Sequence, residues 1–201
     1  MAMDPRRRRR RQRRAGAVAA FMVLALGLAF FFESQATTTV IFVRYADQLA
    51  GNGDESGLSA TGNLRAEELS RVLGDVDVIQ GLDAILVKPV RAARDTAAPL
   101  ARRLNMAAQD FDTTNTKGLT RRILREYKGE IVLVVAEPTE IPVLIPAFQG
   151  SKKLPPMADG EYDNLYIVSI PWYGKVKTLR LRYGTRPVPP LSLPMTEPAA
   201  N

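Results

Sequence analysis

Between Thr37 and Leu181 the apolar positions alternate between short unbroken runs and helical stripes. The run 37–44 (TTTVIFVR) is rich in β-branched residues, and 84–87 (AILV) and 131–135 (IVLVV) are apolar throughout. That is the pattern of strands covered on both faces. Helical spacing fills the intervals. From Ser59 to Leu73, Ser59 is placed as an N-cap, and Leu64, Leu69, Val72 and Leu73 supply an approximate apolar face. Over 91–104, Val90, Ala93, Ala97, Leu100, Ala101 and Leu104 fall on one stripe. Residues 105–116 are polar and read as a loop; Leu119, Ile123, Leu124 and Tyr127 then predict a short helix stopped by Gly129. The stretch 138–148 predicts a helix starting at Pro138 and disturbed by Pro142 and Pro146. Residues 165–170 and 176–181, joined through Pro171-Trp172-Tyr173-Gly174-Lys175, predict a closing hairpin. The fold class that follows is α/β: a three-layer sandwich whose central sheet is mostly parallel, with antiparallel strands at its end.

Upstream of this alternation the pattern changes altogether. Residues 15–32 (AGAVAAFMVLALGLAFFF) carry no charge and sit behind eight arginines, Arg6 to Arg11, Arg13 and Arg14. As a helix the stretch rises roughly 27 Å, close to a hydrocarbon core of about 30 Å. The expectation is one N-terminal transmembrane helix with residues 1–14 as an Arg-rich cytoplasmic tail and the chain from 37 onward exported, because arginine clusters stay on the cytoplasmic side. A second reading stays open. Ser34-Gln35-Ala36 presents small residues as a signal peptidase site does, so that 15–32 would be a signal core and the domain secreted after cleavage near Ala36. An Arg-Arg pair also permits twin-arginine export, although the residues after it fit that signal poorly. The domain itself is predicted over 37–186, followed by a Pro-rich tail, 187–201, with five prolines.

Charge and composition then narrow the chemistry. The 201-residue chain has a formal net charge of +7. Residues 1–14 alone account for that excess, leaving 20 basic and 20 acidic residues in the rest. No nucleic-acid partner is therefore expected of the domain. The chain has neither Cys nor His. Disulfides, thiolate metal sites, cysteine nucleophiles, imidazole bases and phosphohistidine chemistry are all excluded. Nothing in the sequence asks for a cofactor or a metal.

Four segments together resemble the histidine phosphatase superfamily, the phosphoglycerate mutase-like proteins, from Thr38 to Gly184. They are VRYAD (43–47), where the family has an Arg-His pair, LSATGNLRAEELS (58–70), DAILVKPVRAARDTAAPLA (83–101), and GEIVLVVAEPTEIPVLI (129–145). A closing strand, GEYDNLYIVSIP (160–171), follows in the family's order. The resemblance implies a phosphate pocket at the strand ends, with a nucleophilic His, two Arg and a second His holding the phosphoryl oxygens, and an acid for the leaving group. Carried over residue by residue, Arg44 keeps the first Arg. The nucleophile position is Tyr45, the second Arg aligns with Ala92 and the second His with Glu137. Asp47 and Lys88 are the pocket's neighbours, Lys88 standing where the family has Ser.

A neutral phenol is a poor nucleophile, and a carboxylate at position 137 repels a phosphate dianion. The expectation is that Glu137 pairs with Arg44 and fills the former phosphate site. Arg91 and Arg94 are expected on the surface, Asp110 and Asp112 as solvated loop residues, and Asp47 as a cap or an ion-pair partner. Gly51-Asn52-Gly53 reads as a flexible turn without the marks of a phosphate cradle. Trp172 and Tyr173 form an exposed hairpin tip, open to a partner, to a bilayer surface or to solvent alone.

The functional expectation is a membrane-anchored, catalytically inactive phosphatase-like domain in the cell envelope that binds an unknown protein or small molecule. Two alternatives stand beside it. One is an enzyme with rerouted carboxylate chemistry using Asp47 or Glu137, and the other is a purely structural module with a filled pocket. Pocket volume separates the binding module from the structural one: an open cavity lined by Tyr45, Lys88 and Glu137 favours a ligand.

Overall fold

A computed structural model describes residues 5–33, 37–51, 53–75 and 81–184. Helix α1 (Pro5–Glu33) carries the arginine run and the apolar stretch in one continuous body. After it the chain alternates. Strand β1 (Thr38–Arg44) leads to α2 (Ala60–Gly74), β2 (Ala84–Val87), α3 (Arg91–Leu104), β3 (Ala108–Asp110) and α4 (Thr116–Glu126). Then come β4 (Ile131–Ala136), α5 (Ile141–Ala147), and the antiparallel pair β5 (Asn164–Ile170) and β6 (Lys177–Arg182).

The six strands lie in the order β3-β2-β4-β1-β5-β6. The first four are mutually parallel, and β5 runs against both β1 and β6, so the sheet is mixed, with its antiparallel part at the end of the chain as expected. Alternation along the strands divides the core in two. Val40, Phe42, Leu86, Val132, Val134 and Tyr166 pack with Leu119 and Ile123 of α4 and Ile141, Leu144 and Ile145 of α5. Ile41, Val43, Ile85, Val87, Leu133 and Val135 pack with Leu69 of α2 and Ala93, Ala97 and Leu100 of α3. These are the three layers the sequence predicts.

Local chemistry sets the helix ends. Ser59 Oγ accepts from Gly62 N at 3.0 Å, the predicted N-cap of α2. Asn105 adopts a left-handed conformation (φ 53°) and closes α3. Two expectations need correction. The segment 105–116 is not all loop, because Ala108–Asp110 adds a short exposed edge strand by parallel pairing with β2. Helix α5 begins at Ile141 and not at Pro138, since Glu140 Oε2 accepts from Glu137 N at 3.0 Å and holds 137–140 as a turn.

The N-terminal span predicted over 15–32 is described only in part. Among the described residues no helix is long and apolar enough to cross a membrane. The side chains of Phe30 and Phe32, which complete the predicted span, lie outside the described residues, as do Ser34-Gln35-Ala36 and the tail 187–201.

Candidate functional site

Strand β1 feeds α2 on one face of the sheet, while its neighbour β4 feeds α5 on the other. A crevice opens between adjacent strand ends whose connections diverge in this way. Here it becomes a cleft of about 450 Å³ lined by Tyr45, Lys88, Glu137 and Tyr162 and walled by the loop from Gln48 to Ser56. That loop is clamped at its base by the Gln48–Leu58 bridge and by Leu49 N donating to Gly57 O at 3.0 Å. Gly51 and Gly53, both at positive φ, sit in its turn, so the flexible turn of the sequence reading borders the cleft.

The charges at the strand ends are arranged differently from expectation. Glu137 does not pair with Arg44. It accepts a short hydrogen bond from Lys88 Nζ, which also donates to Glu140 Oε1 at 3.0 Å. Sheet pairing explains the miss. Lys88 N donates to Val135 O at 2.9 Å, which sets Lys88 beside Glu137 at the end of β4, while the guanidinium of Arg44 is taken up by the 158–161 loop. Arg44 Nη1 instead donates to the Asp159 carbonyl at 3.1 Å and, at 3.4 Å each, to those of Ala158 and Glu161. Its guanidinium carbon stacks 3.8 Å above the Tyr162 ring.

Lys88 Nζ lies mostly out of water between two carboxylates. Burial works against its charge, but the hydrogen bonds to Glu137 and Glu140 outweigh it and hold the ammonium above its ordinary pKa. Tyr45 moves the same way for another reason: burial, then the nearby Glu137 carboxylate, push the phenol up and keep it protonated. Its nucleophilicity at neutral pH is correspondingly low.

Ala92 is fully buried with Ala46, Leu58 and Ala66 in a small apolar cluster against Tyr45. The position that the resemblance assigns to a second Arg is packed with small side chains. Asp47 pairs with Arg65 at 2.8 Å, while its backbone carbonyl accepts from Ser59 N at 2.8 Å, tying β1 to the start of α2. Arg91 pairs with Asp95 at 3.5 Å and Arg94 with Asp110 at 2.5 Å, both in solvent as expected. Asp112 accepts from Thr114 N at 2.9 Å in a turn, but Asp110 belongs to β3 and is paired. Sequence reasoning missed Glu140 and Tyr162. Only the Glu-x-x-Glu spacing signals the first, and nothing local signals the second.

The site therefore gathers Tyr45, Lys88, Glu137, Glu140 and Tyr162 at one strand-end cleft, with Arg44 stacked on Tyr162 and Asp47 paired with Arg65. Among the described residues no group of three or more acidic or other ligating side chains is placed to hold a metal ion.

Solved structures give the architecture its context. The protein histidine phosphatase SixA complexed with tungstate superposes with a TM-score of 0.58 at 18% identity, over 72% of this chain and 96% of that one. This is the histidine phosphatase fold. A mycobacterial glucosyl-3-phosphoglycerate phosphatase matches with a TM-score of 0.54 at 13% identity, over 73% and 98% of the two chains. A putative phosphohistidine phosphatase SixA from Agrobacterium tumefaciens matches at 0.52 and 17%, over 65% and 90%. No family model and no curated protein matches the sequence. At the strand ends of this fold the chain holds a Lys88–Glu137–Glu140 triad.

Proposed function

We propose that this chain is a degenerate member of the histidine phosphatase superfamily: a membrane-anchored pseudophosphatase whose cleft binds a polar ligand and turns over no phosphate. One observation carries the reading. Lys88, the one cation among the residues lining the cleft, is committed to two carboxylates, and Glu137 and Asp54 leave that lining with a net negative charge. A phosphate dianion is repelled there, and a neutral or cationic polar group is admitted. The cleft is open, which favours a binding module over a structural one with a filled pocket. The rerouted-carboxylate alternative loses ground, because Asp47 and Glu137 are both held in ion pairs.

The anchor rests on residues 15–32 and on the surroundings of α1. Val18, Phe21, Val23, Leu24 and Leu26 point in different directions around the helix, and each is more than half exposed, Phe21 at 68%. A helix apolar on all sides is stable in lipid and not in water. Positive-inside orientation then exports the domain to the cell envelope.

Phosphomonoester hydrolysis by the purified protein, together with thermal shifts in inorganic phosphate, tests this function. No turnover and no shift are expected. Turnover that disappears in Glu137→Gln would overturn the inactive reading and make the carboxylate catalytic.

A further inference from the structure

The end of the sheet opposite the cleft carries a second organised surface. Thr38, which opens β1 after α1, pairs with Ile170 at the end of β5, and its Oγ1 accepts from Gly129 N at 2.9 Å. The hairpin tip 171–175 therefore sits where α1 joins the domain. Trp172 is 54% exposed and Tyr173 86% exposed at that tip. The Trp172 ring meets Phe31 of α1 edge-on, centroids 6.1 Å apart.

Around these rings the surface is cationic. Lys128 adjoins Gly129, Lys175 lies in the hairpin turn, and Lys177 starts β6. All three are exposed, and none of their ammonium groups meets an acid or a hydrogen-bond acceptor among the described residues. Lys152 and Lys153 are equally unpaired and follow Ser151, whose N donates to Thr178 Oγ1 at 2.9 Å. The described acids at this end are Asp75 and Glu126, paired with Arg103 and Arg122, Asp83, which accepts from Ile131 N at 2.7 Å, and Glu130. Unlike Asp75 and Glu126, the lysines have no ion-pair partner among the described residues.

We propose that this end of the sheet lies on an anionic lipid bilayer, with Trp172 and Tyr173 in its interfacial layer and Lys128, Lys175 and Lys177 against lipid phosphates. Amphipathic rings settle at headgroup depth, and unpaired lysines beside a bilayer are drawn to anionic headgroups. The partner is lipid and not protein because the apolar helix ends beside Trp172, so whatever layer holds α1 also bathes the hairpin. The proposal rests on the anchor suggested above. Its consequence is orientation: β1, about 20 Å long, stands between the bilayer and the cleft and turns the cleft toward the aqueous compartment.

Trp172 is the chain's single tryptophan, so its emission reports this surface alone. The full chain is reconstituted into phosphatidylcholine vesicles with and without phosphatidylglycerol, and flotation is read beside quenching by lipids brominated near the headgroup. The expected result is flotation in both, with loss of Trp172 emission to bromolipid greater in the anionic vesicles. The Lys128→Glu, Lys175→Glu, Lys177→Glu variant should float as before and lose that extra quenching, with an unchanged far-ultraviolet circular dichroism spectrum. Flotation with Trp172 open to iodide and untouched by bromolipid overturns the surface and leaves the anchor standing. Equal quenching in both vesicle types overturns the role of the lysines. A chain that does not float overturns the anchor and this surface with it.

Discussion

The two ends of the one sheet treat charge in opposite ways. At the carboxyl ends of β1, β2 and β4, the charged side chains next to the strands are bound to another part of the fold: Lys88 to Glu137 and Glu140, Asp47 to Arg65, Arg44 to the carbonyls of 158–161. At the other end the lysines reach into solvent with no partner among the described residues. The first set is part of what holds the strand ends and loops together. The second set contributes little to the fold and is free to meet something outside it. Buried position and mutual pairing, and not the number of charges, separate a structural ion pair from an interaction surface.

The sharpest way to break the comparison is at the joint under the cleft. A Cβ at Gly62 would lie 2.2 Å from the Asp47 carbonyl oxygen, a backbone atom that cannot move aside. Gly62→Val is expected to cost about 3 kcal/mol by forcing α2 off β1, read as a lower midpoint in urea unfolding. Lys88→Met comes next. It leaves two facing carboxylates without their shared cation, and after discounting for the partial exposure of Glu137 the loss is about 2 kcal/mol, read as a drop in melting temperature.

The same residue sets a pH dependence. The pKa of Lys88 is raised in the fold, so its stabilisation is complete below the unfolded value of 10.5 and is lost as pH rises through the folded value. Tyr45 acts in the same direction, because above its ordinary value of 10.0 an unfolded chain ionises a phenol that the fold keeps protonated. Melting temperature is expected to hold steady from neutral pH to about pH 9 and to fall beyond about pH 10, with a shallower fall in Lys88→Met. A steeper fall in that variant would contradict the assignment.

Ser59→Ala removes the α2 cap and is expected to cost about 1 kcal/mol in the same thermal assay. The smallest effect belongs to the opposite end. Lys128→Glu, Lys175→Glu and Lys177→Glu should each change stability by less than about 0.5 kcal/mol, since no folded-state partner is lost. A large loss in any of them would show that the two ends do not differ as the geometry indicates.

Most of the architecture was legible because its signals are local. Buried runs such as Ile131 to Val135 and stripes such as Ala93, Ala97 and Leu100 write their periodicity into the sequence, and Ser59 announces its helix through a capping oxygen. Strand β3 was not legible. Its three residues are all exposed and carry no apolar pattern, so only pairing with β2 makes them a strand. The start of α5 was misplaced for a related reason: Pro138 suits a first helical turn, but the Glu140 carboxylate caps the turn before it.

The candidate site divides along the same line. That Tyr45, Ala92 and Glu137 cannot supply phosphohistidine chemistry follows from residue identity alone, since a chain without His has no imidazole to offer. Which cation meets Glu137 does not follow from identity. Arg44 meets the 158–161 loop and Tyr162, and the parallel pairing of β2 with β4 carries Lys88 to Glu137, contacts between residues 49 to 118 positions apart. The sequence by itself determined the elements, the missing chemistry and the uncharged N-terminal stretch, because each depends on neighbouring residues or on composition. The tertiary structure alone decided the ion triad, the open cleft and the gathering of unpaired lysines at one end of the sheet, because each depends on which distant side chains the strand order brings within reach.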